Sequence, residues 1–288
     1  MADTAFETLI YEIPEPGIAR IRLNRPDRAN AQDTQLLYEL NQAFDRAAHD
    51  DEVRVIVLAA EGKHFSAGHD LKDILSGADE WARMRDTPEG KLRHEQVMYW
   101  DKSLRLRNFR KPTIAAVHGA VAAAGLMLAC MCDLIVAADD TRFSNPVARM
   151  TGVGVEILVE PWELGPRKAK EMLFTSEAIG AAEALQLGMV NKVVPRAELQ
   201  EATLEMARKI ATKSRFALKM TKIALNGVAD AAGRDIAMQN AFHLHQLAHT
   251  HNLKVFGMLV DPTGLPEATR KAMAARLAAQ HESGAAGE

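Results

Sequence analysis

The stretch of residues 111–133, KPTIAAVHGAVAAAGLMLACMCD, constrains the fold of this chain more than any other. It begins as a short apolar strand, residues 113–117, breaks at His118-Gly119, and continues through small residues into an apolar helix-like segment. Small side chains in a turn before a helix let a ligand approach the backbone closely. The free N–H groups and the positive dipole end of that helix favour a developing negative charge. The sequence therefore predicts a backbone site for an oxyanion.

A second small-residue turn, FSAGHDL at residues 65–71, can supply a partner N–H to that site. Two alternatives compete with this interpretation. One is a membrane span, but His118 and Asp133 interrupt the apolar stretch 113–138 and leave it short of the roughly 18 residues that a span needs. The other is a buried core helix without chemistry, which this stretch alone does not exclude.

The composition describes an ordinary globular protein. Of the 288 residues, 48% are hydrophobic and 25% are charged, which is enough to bury a sizeable core. The net charge of −3 gives no global reason to expect nucleic acid as a partner. No secretory signal is visible at the start of the sequence, and the two cysteines, Cys130 and Cys132, are too close for a disulfide. A cytoplasmic location is predicted.

Strand and helix patterns alternate along the first half of the chain. Residues 18–23 resemble an edge strand, the spacing of apolar residues from Leu36 to Ala47 indicates an amphipathic helix, and residues 53–59 and 134–138 are typical of buried strands. This alternation predicts an α/β fold built from crossover units. The irregular segment 142–166 is long for a compact domain, and such loops are often functional.

Two further regions bear on the organisation of the chain. Residues 76–108 are charged with scattered aromatic residues, which indicates either simple packing or helices and loops that cover a pocket. From residue 167 the sequence becomes helical, and after the short predicted strand 189–194 only helices follow. We therefore divide the chain into a core at 1–196 and a helical C-terminal oligomerisation region at 197–288.

Four histidines in HLHQLAHTH raise the possibility of a metal site. Only His245 and His249 have the i, i+4 spacing that places two imidazoles on one helix face, and no acidic third ligand follows them. A solvated helix face is the preferred interpretation of the stretch, which also contains His243 and His251. No metal site is predicted.

Taken together, several motifs resemble those of the crotonase family, the enoyl-CoA hydratase/isomerase superfamily. The resemblance covers roughly residues 5–200 in the correct order. Its parts are Asn24-Arg25-Pro26 with Asn30, the strand 53–58, the turn 65–71, the segment from Lys111-Pro112 to Gly119, Met131-Cys132-Asp133, and the pattern from Ala182-Glu183-Ala184-Leu185 to Gly188-Met189-Val190.

The resemblance implies a spiral of ββα turns, followed by helices that form a homotrimer or a dimer of trimers. It implies an acyl-CoA substrate, as in fatty acid metabolism, with no cofactor, no nucleic acid and no membrane span. It also implies an enolate stabilised by two backbone N–H groups, those of His69 and Ala124. The histidine side chain is not required for this role. The substrate-binding positions implied are Ala67, Gly68, Asp70, Leu71, Lys72, Gly125, Met127 and Val147.

The sequence departs from the family pattern at both acids that hydratases use. Met127 and Val147 stand where the two glutamates are expected, and neither side chain transfers protons. One acid remains, because Glu156 lies, with an offset of one residue, where some family members carry an aspartate. We interpret Glu156 as a candidate base or nucleophile whose pKa is raised by an apolar pocket, with Glu160 and Glu163 as alternatives. The competing interpretation is a structural role, in which Glu156 caps the loop or forms a salt bridge within it.

The predicted function is therefore an acyl-CoA enzyme of the hydratase/isomerase class, a lyase or isomerase with an atypical site. An acyl-CoA-binding protein without turnover is the alternative. A third hypothesis, a metal-dependent hydrolase, rests on the histidine cluster. The acyl chain, the direction of reaction, the choice between trimer and hexamer, and a role of residues 76–108 as a lid are left open by the sequence.

Overall fold

A computed structural model describes residues 6–71, 87–265, 267, 270 and 271 of the chain. Within these residues nine strands form a six-stranded and a three-stranded sheet. In chain order the strands are Leu9–Glu15 (β1), Ile18–Leu23 (β2), Val55–Ala60 (β3), Thr113–Val117 (β4), Ala120–Ala122 (β5), Leu134–Ala138 (β6), Arg142–Ser144 (β7), Ile179–Gly180 (β8) and Lys192–Val194 (β9). The order is β1-β2-β3-β4-β6-β9 in the large sheet and β5-β7-β8 in the small one.

Ten α-helices accompany these strands in the described part of the chain. They are Thr34–His49 (α1), Pro88–Glu95 (α2), Asp101–Arg107 (α3), Ala124–Cys130 (α4), Glu160–Leu164 (α5), Pro166–Thr175 (α6), Ala181–Gln186 (α7), Leu199–Ala211 (α8), Arg215–Ala231 (α9) and Arg234–Phe256 (α10). A π-helical turn, Gln96–Trp100, joins α2 to α3. None of the described helices has the length and apolarity needed to cross a membrane.

The strands enter the two sheets in pairs. β4 joins the large sheet and β5 the small one, α4 follows, and β6 and β7 repeat the arrangement one turn later. All pairs of the large sheet are parallel except β1 with β2. The chain therefore winds through repeated strand–strand–helix turns, as in the α/β spiral that the resemblance implies.

The central strand β3 explains why the predicted buried run is almost entirely apolar. Ile56 and Leu58 point into the main core, whereas Val55 and Val57 point to the opposite face of the sheet, where α8 covers them. A strand buried on both faces has no polar side to alternate with. Because α8 begins after residue 196, packing on the sheet continues beyond the predicted boundary, and the division into two regions stays a prediction.

Most predicted elements are found, with specific corrections. Helix α1 starts at Asp33, whose side chain accepts a hydrogen bond from the Leu36 N–H at 2.8 Å. The interpretation of β2 as an edge strand is wrong, because β1, which was not predicted, pairs with its outer side. The segment 142–166 contains β7 and α5 as well as irregular backbone. Of the possible lid, residues 87–108 are helical and 76–86 lie outside the described residues.

Candidate active site

Two glycine-containing turns meet at one point of the fold. Gly68 has a φ of +94°, and a Cβ placed on it would lie 3.1 Å from the Ala124 nitrogen. A Cβ on Gly125 would lie only 2.4 Å from the carbonyl oxygen of Ser66. That oxygen accepts a hydrogen bond from the Ala122 N–H at 2.9 Å, which links the two turns. Both positions therefore exclude a side chain, and the backbones of the two turns are held in contact.

The two predicted oxyanion donors lie in these turns. Ala124 is the first residue of α4, and the first N–H groups of a helix have no partner within it. Among the described residues, neither the Ala124 N–H nor the His69 N–H donates a hydrogen bond to an acceptor. Ala123, which precedes α4, has a φ of +49°, a strained conformation for a residue with a side chain. The adjoining turns thus offer two backbone donors without acceptors.

A cavity of about 350 Å³ lies beside the two turns. Five of the predicted site residues line it: Ala67, His69, Leu71, Val147 and Glu156. Its other walls come from α2, α10 and the segment 259–265. The cavity brings together parts of the chain that are far apart in sequence.

The remaining predicted binding residues lie elsewhere. Met127 lines a separate cavity of about 30 Å³, and Asp70 pairs with Arg25 at 3.1 Å. Gly68 and Gly125 pack the turns against one another. Lys72 lies outside the described residues. The structure therefore groups only part of the predicted substrate-binding set around the main cavity.

Glu156 is 3% exposed and faces His69. The His69 Nε2 atom lies 3.1 and 3.0 Å from the two carboxylate oxygens. Burial raises the pKa of Glu156, but the charge and hydrogen bond of His69 and the charge of His245 outweigh it, so the pKa lies below its ordinary value. The prediction of a raised pKa is therefore wrong, because the pocket around this carboxylate is cationic rather than apolar.

The two alternative acids are used in other contacts. Glu160 accepts a hydrogen bond from the Asn145 side chain at 2.5 Å, and Glu163 pairs with Arg234 at 2.9 Å. Burial raises the pKa of both carboxyl groups. Neither residue lines the main cavity, so Glu156 is the acid of the three that faces it.

The interpretation of the histidine stretch as a solvated helix face is wrong for two of its members. His245 is 4% exposed, and its Nε2 atom lies 3.4 Å from Glu95 and 3.9 Å from Glu156. His249 is also mostly buried, and its Nε2 atom lies 3.5 Å from Glu95. His243 and His251 are exposed, as predicted. An acidic neighbour does exist, but it comes from α2 rather than from the adjacent sequence.

The pKa values of His245 and His249 are shifted in opposite directions by burial and by neighbouring charges. Burial lowers the pKa of His249 to about 4. Burial also opposes the charged form of His245, but the hydrogen bond and charge of Glu95 and the charge of Glu156 outweigh it and raise the pKa. The pKa values of the two imidazoles therefore shift in opposite directions, although the two side chains lie one helical turn apart.

Sequence reasoning missed the contribution of α2 and the π-helical turn. Glu95 and Tyr99 line the cavity, and the Tyr99 ring lies 4.0 Å from the His69 ring. The apolar run Met98-Tyr99-Trp100 inside a charged segment was the available signal of burial. No local pattern marks Glu95, because its histidine partners lie on α10, far along the chain. Chemically, the site combines two backbone donors for an oxyanion with a buried carboxylate that can accept a proton.

Comparison with known proteins agrees with this architecture. The family model described as enoyl-CoA hydratase/isomerase matches residues 14–260. EchA13 of Mycobacterium tuberculosis, provisionally named as an enoyl-CoA hydratase, is 46% identical over 266 residues, which are 88% of this chain and 84% of that protein. The crystal structure of a probable enoyl-CoA hydratase from Mycobacterium smegmatis has a TM-score of 0.82 at 48% identity and covers 88% of this chain and 99% of that one. The human mitochondrial enoyl-CoA hydratase domain-containing protein 3 is 39% identical over 214 residues, 72% of this chain and 65% of that protein.

Proposed function

The chain belongs to the enoyl-CoA hydratase/isomerase family, and from this premise we propose that it is an enzyme that moves a proton on an acyl-CoA thioester. One observation carries the proposal. Two backbone N–H groups without acceptors, those of His69 and Ala124, lie in adjoining turns beside a cavity that also exposes the carboxylate of Glu156. Donors that stabilise an oxyanion and a base that removes a proton are the two requirements for forming an enolate.

In the proposed mechanism the thioester carbonyl oxygen of an enoyl-CoA accepts hydrogen bonds from the N–H groups of His69 and Ala124. Glu156 removes a proton from the carbon beyond the α,β double bond. The C–H electron pair forms a new double bond at that carbon, the original double bond shifts toward the carbonyl carbon, and the carbonyl electrons move onto the oxygen as an extended enolate. The two N–H groups stabilise that charge, and removing one such donor typically costs about 3–4 kcal/mol of barrier. Glu156 then returns the proton to a different carbon, so no net proton or electron is consumed.

The environment of Glu156 supports its role as the base. Its lowered pKa keeps the carboxyl ionised at neutral pH, as a base requires. The same residue that offers a backbone N–H, His69, also holds the carboxylate through its ring at 3.0 Å. The ring of His69 therefore connects the carboxylate of the base directly to the residue that carries one of the two backbone donors.

The residues at the two usual acid positions favour proton transfer over hydration. Val147 lines the cavity, Met127 is buried outside it, and neither side chain can donate a proton or activate water. One base suffices to move a proton between two carbons, whereas the usual hydration route uses two acids. Isomerisation is therefore the proposed activity within the family, and no cofactor is proposed for it.

An acyl-CoA-binding protein without turnover is the second candidate. The same replacements at Met127 and Val147 favour it, as does the engagement of Glu156 by His69, which is also the contact expected of a purely structural ion pair. Both candidates keep the oxyanion turns, so only measurement of turnover separates them.

The decisive experiment measures the absorbance change of enoyl-thioesters over a panel of acyl-CoAs, with wild type and Glu156→Gln in parallel. Glutamine keeps the size of the side chain but cannot accept the proton. We expect turnover of at least one panel member by the wild type and a loss of about 100- to 10,000-fold in the variant. Equal turnover by both proteins would exclude Glu156 as the base, and binding without turnover would favour the second candidate.

We also propose that the helical C-terminal region assembles the protein into a trimer or a dimer of trimers. Support comes from α9, which exposes five large apolar side chains: Phe216, Met220, Ile223, Leu225 and Val228. Exposed apolar surfaces of this kind mark interfaces. Sedimentation velocity of the wild type and of Leu225→Glu tests this, because a charge at the interface should shift the protein to smaller species.

A further inference from the structure

Three potential metal ligands converge at one side of the cavity. His245 and His249 lie one turn apart on α10, and Glu95 lies at the end of α2. The two Nε2 atoms are 2.9 Å apart, and the carboxylate oxygens of Glu95 lie 3.4 Å from the Nε2 of His245 and 3.5 Å from that of His249. All three side chains line the main cavity.

The two distances to Glu95, 3.4 and 3.5 Å, match the ligand spacing of a zinc site, and the two Nε2 atoms, at 2.9 Å, would move apart by about 0.4 Å to hold the ion. Ligand atoms at about 2.0–2.1 Å from a tetrahedrally coordinated zinc ion lie about 3.3 Å from one another. Two imidazoles and one carboxylate are also a ligand set that zinc uses where a fourth position is left open. We propose that Glu95, His245 and His249 bind a divalent transition-metal ion of the Zn²⁺ class, with the fourth position open to the cavity.

The surroundings of the ligands fit this assignment. The Nδ1 atom of His249 lies 2.6 Å from the carbonyl oxygen of Leu259 and donates its hydrogen to it, so the lone pair of the ring is on Nε2 and points into the cluster. The side-chain amide of Gln246 donates to Glu95 and orients its carboxylate. Partners of this kind fix the orientation of metal ligands in known sites.

The Nε2 atom of His245 needs a positive or hydrogen-bonding occupant. The lone pair of His249 faces this atom, and the carboxylates of Glu95 and Glu156 both approach it. Lys91 pairs with Glu95 at 3.4 Å, and His69 holds Glu156 at 3.0 Å. A metal ion satisfies the two imidazoles and Glu95 at once. A proton on His245 is the competing occupant.

The site differs from the proposed oxyanion site in its residues and in its chemistry. Glu95, His245 and His249 do not themselves transfer the proton assigned to Glu156, although the charge of His245 contributes to the lowered pKa of that carboxylate. The open position would accept a water molecule or an oxygen atom of whatever occupies the cavity. The proposal replaces the expectation from the sequence that the protein has no metal site, and it stands whether or not the protein turns over acyl-CoA.

The test is a titration of the full-length, chelator-treated protein with Zn²⁺ by calorimetry and with Co²⁺ by visible absorption. We expect one ion per chain and the intense visible bands of four-coordinate Co²⁺. Glu95→Gln and His249→Ala should each weaken binding by at least about 100-fold, since even outer partners of a metal site contribute 10- to 100-fold. Circular dichroism checks that each variant is folded.

The same helix provides a matched control. The double variant His243→Ala/His251→Ala also removes two imidazoles from α10, but both are exposed, and it should bind Zn²⁺ like the wild type. If Glu95→Gln does not fold, His249→Ala decides the question, since this side chain lies at the edge of the cluster and is 15% exposed. Absence of binding by the wild type, unchanged binding by the folded ligand variants, or loss of binding in the control would each overturn the proposal.

Discussion

The cavity has two walls that are built in different ways. The backbone wall consists of the turns 66–69 and 123–125, where the atoms that face the ligand belong to the main chain. The side-chain wall consists of Glu95, Glu156, His245 and His249, which come from three distant segments. The first depends on small residues close together in sequence, and the second depends on where the fold brings α2, α10 and the segment before α5.

This difference determines how each wall responds to mutation. In the backbone wall the side chains can change only where a Cβ fits, because the turns touch through Gly68 and Gly125. In the side-chain wall the charges can be altered one at a time without moving the main chain. The backbone wall is therefore tested by changes of volume, and the side-chain wall by changes of charge.

The largest effect is expected from Gly125→Ala in the backbone wall. The added Cβ would lie 2.4 Å from the Ser66 carbonyl oxygen, so the turns must separate, at a cost of about 3 kcal/mol in the free energy of unfolding. Urea denaturation measures this change. Gly227→Ala is the control, since no atom lies within 4 Å of the added Cβ in the exposed interior of α9, and it should stabilise by about 0.5–1 kcal/mol. Equal stability of Gly125→Ala and wild type would show that the turns do not touch.

A smaller effect is expected from a change at His69, which connects the two walls because its backbone belongs to one and its ring contacts Glu156 in the other. The variant is His69→Gln. The variant keeps the backbone N–H but removes the ring that holds Glu156, so turnover should fall about tenfold, or about 1.4 kcal/mol. The pKa of Glu156 should rise without its cationic partner, and the acid limb of the kcat/KM profile should move to higher pH.

A histidine of the same cavity serves as the control for His69→Gln. His94 stacks edge-on against Tyr99 with its ring centroid 5.5 Å away, and His94→Gln should leave the acid limb in place. If the His69→Gln profile matches that of the wild type, the ring of His69 does not hold the base and the two walls act independently.

The smallest effect is expected in the pH dependence of stability of the chelator-treated protein. The pKa of Glu156 is lowered by folding, so its contribution is present above the ordinary glutamate pKa of about 4.3 and is lost as the pH falls through the folded value. The pKa of His245 is raised, so its contribution is complete below about 6.5 and is lost as the pH rises through the folded value. Unfolding in urea across this range should therefore show the largest difference between wild type and His245→Gln at acidic pH. A difference that does not change with pH would contradict the proposed pairing.

Elements whose signal is periodic were predicted well. The helical spacing from Leu36 to Ala47 lies inside α1, and the apolar runs of β3, β4 and β6 are strands at nearly the predicted bounds. These predictions succeed because buried side chains recur along the sequence with the period of the helix or strand that carries them. The edge position of β2 was predicted wrongly, because strand order depends on partners elsewhere in the chain.

Prediction of the candidate site was limited in the same way, because local features could be recognised and contacts between distant segments could not. The small-residue turns at Gly68 and Gly125 could be recognised in the sequence, because close backbone approach requires small residues at those positions. The direction of the Glu156 pKa shift could not be predicted from the sequence, because it is set by His69 and His245, which lie far from Glu156 along the chain.

The resemblance to the crotonase family implied the spiral fold, the two backbone donors and the candidate base, and the sequence by itself determined the alternating strands and helices and the two small-residue turns. Local spacing and residue size carry that information, because strands, helices and tight turns each impose their own pattern on neighbouring residues. Only the tertiary structure decided that Glu95 meets His245 and His249, and that the neighbours of Glu156 lower the pKa of its carboxyl group. Contacts between segments depend on how the elements pack in three dimensions, and a histidine on a helix does not encode which carboxylate will face it.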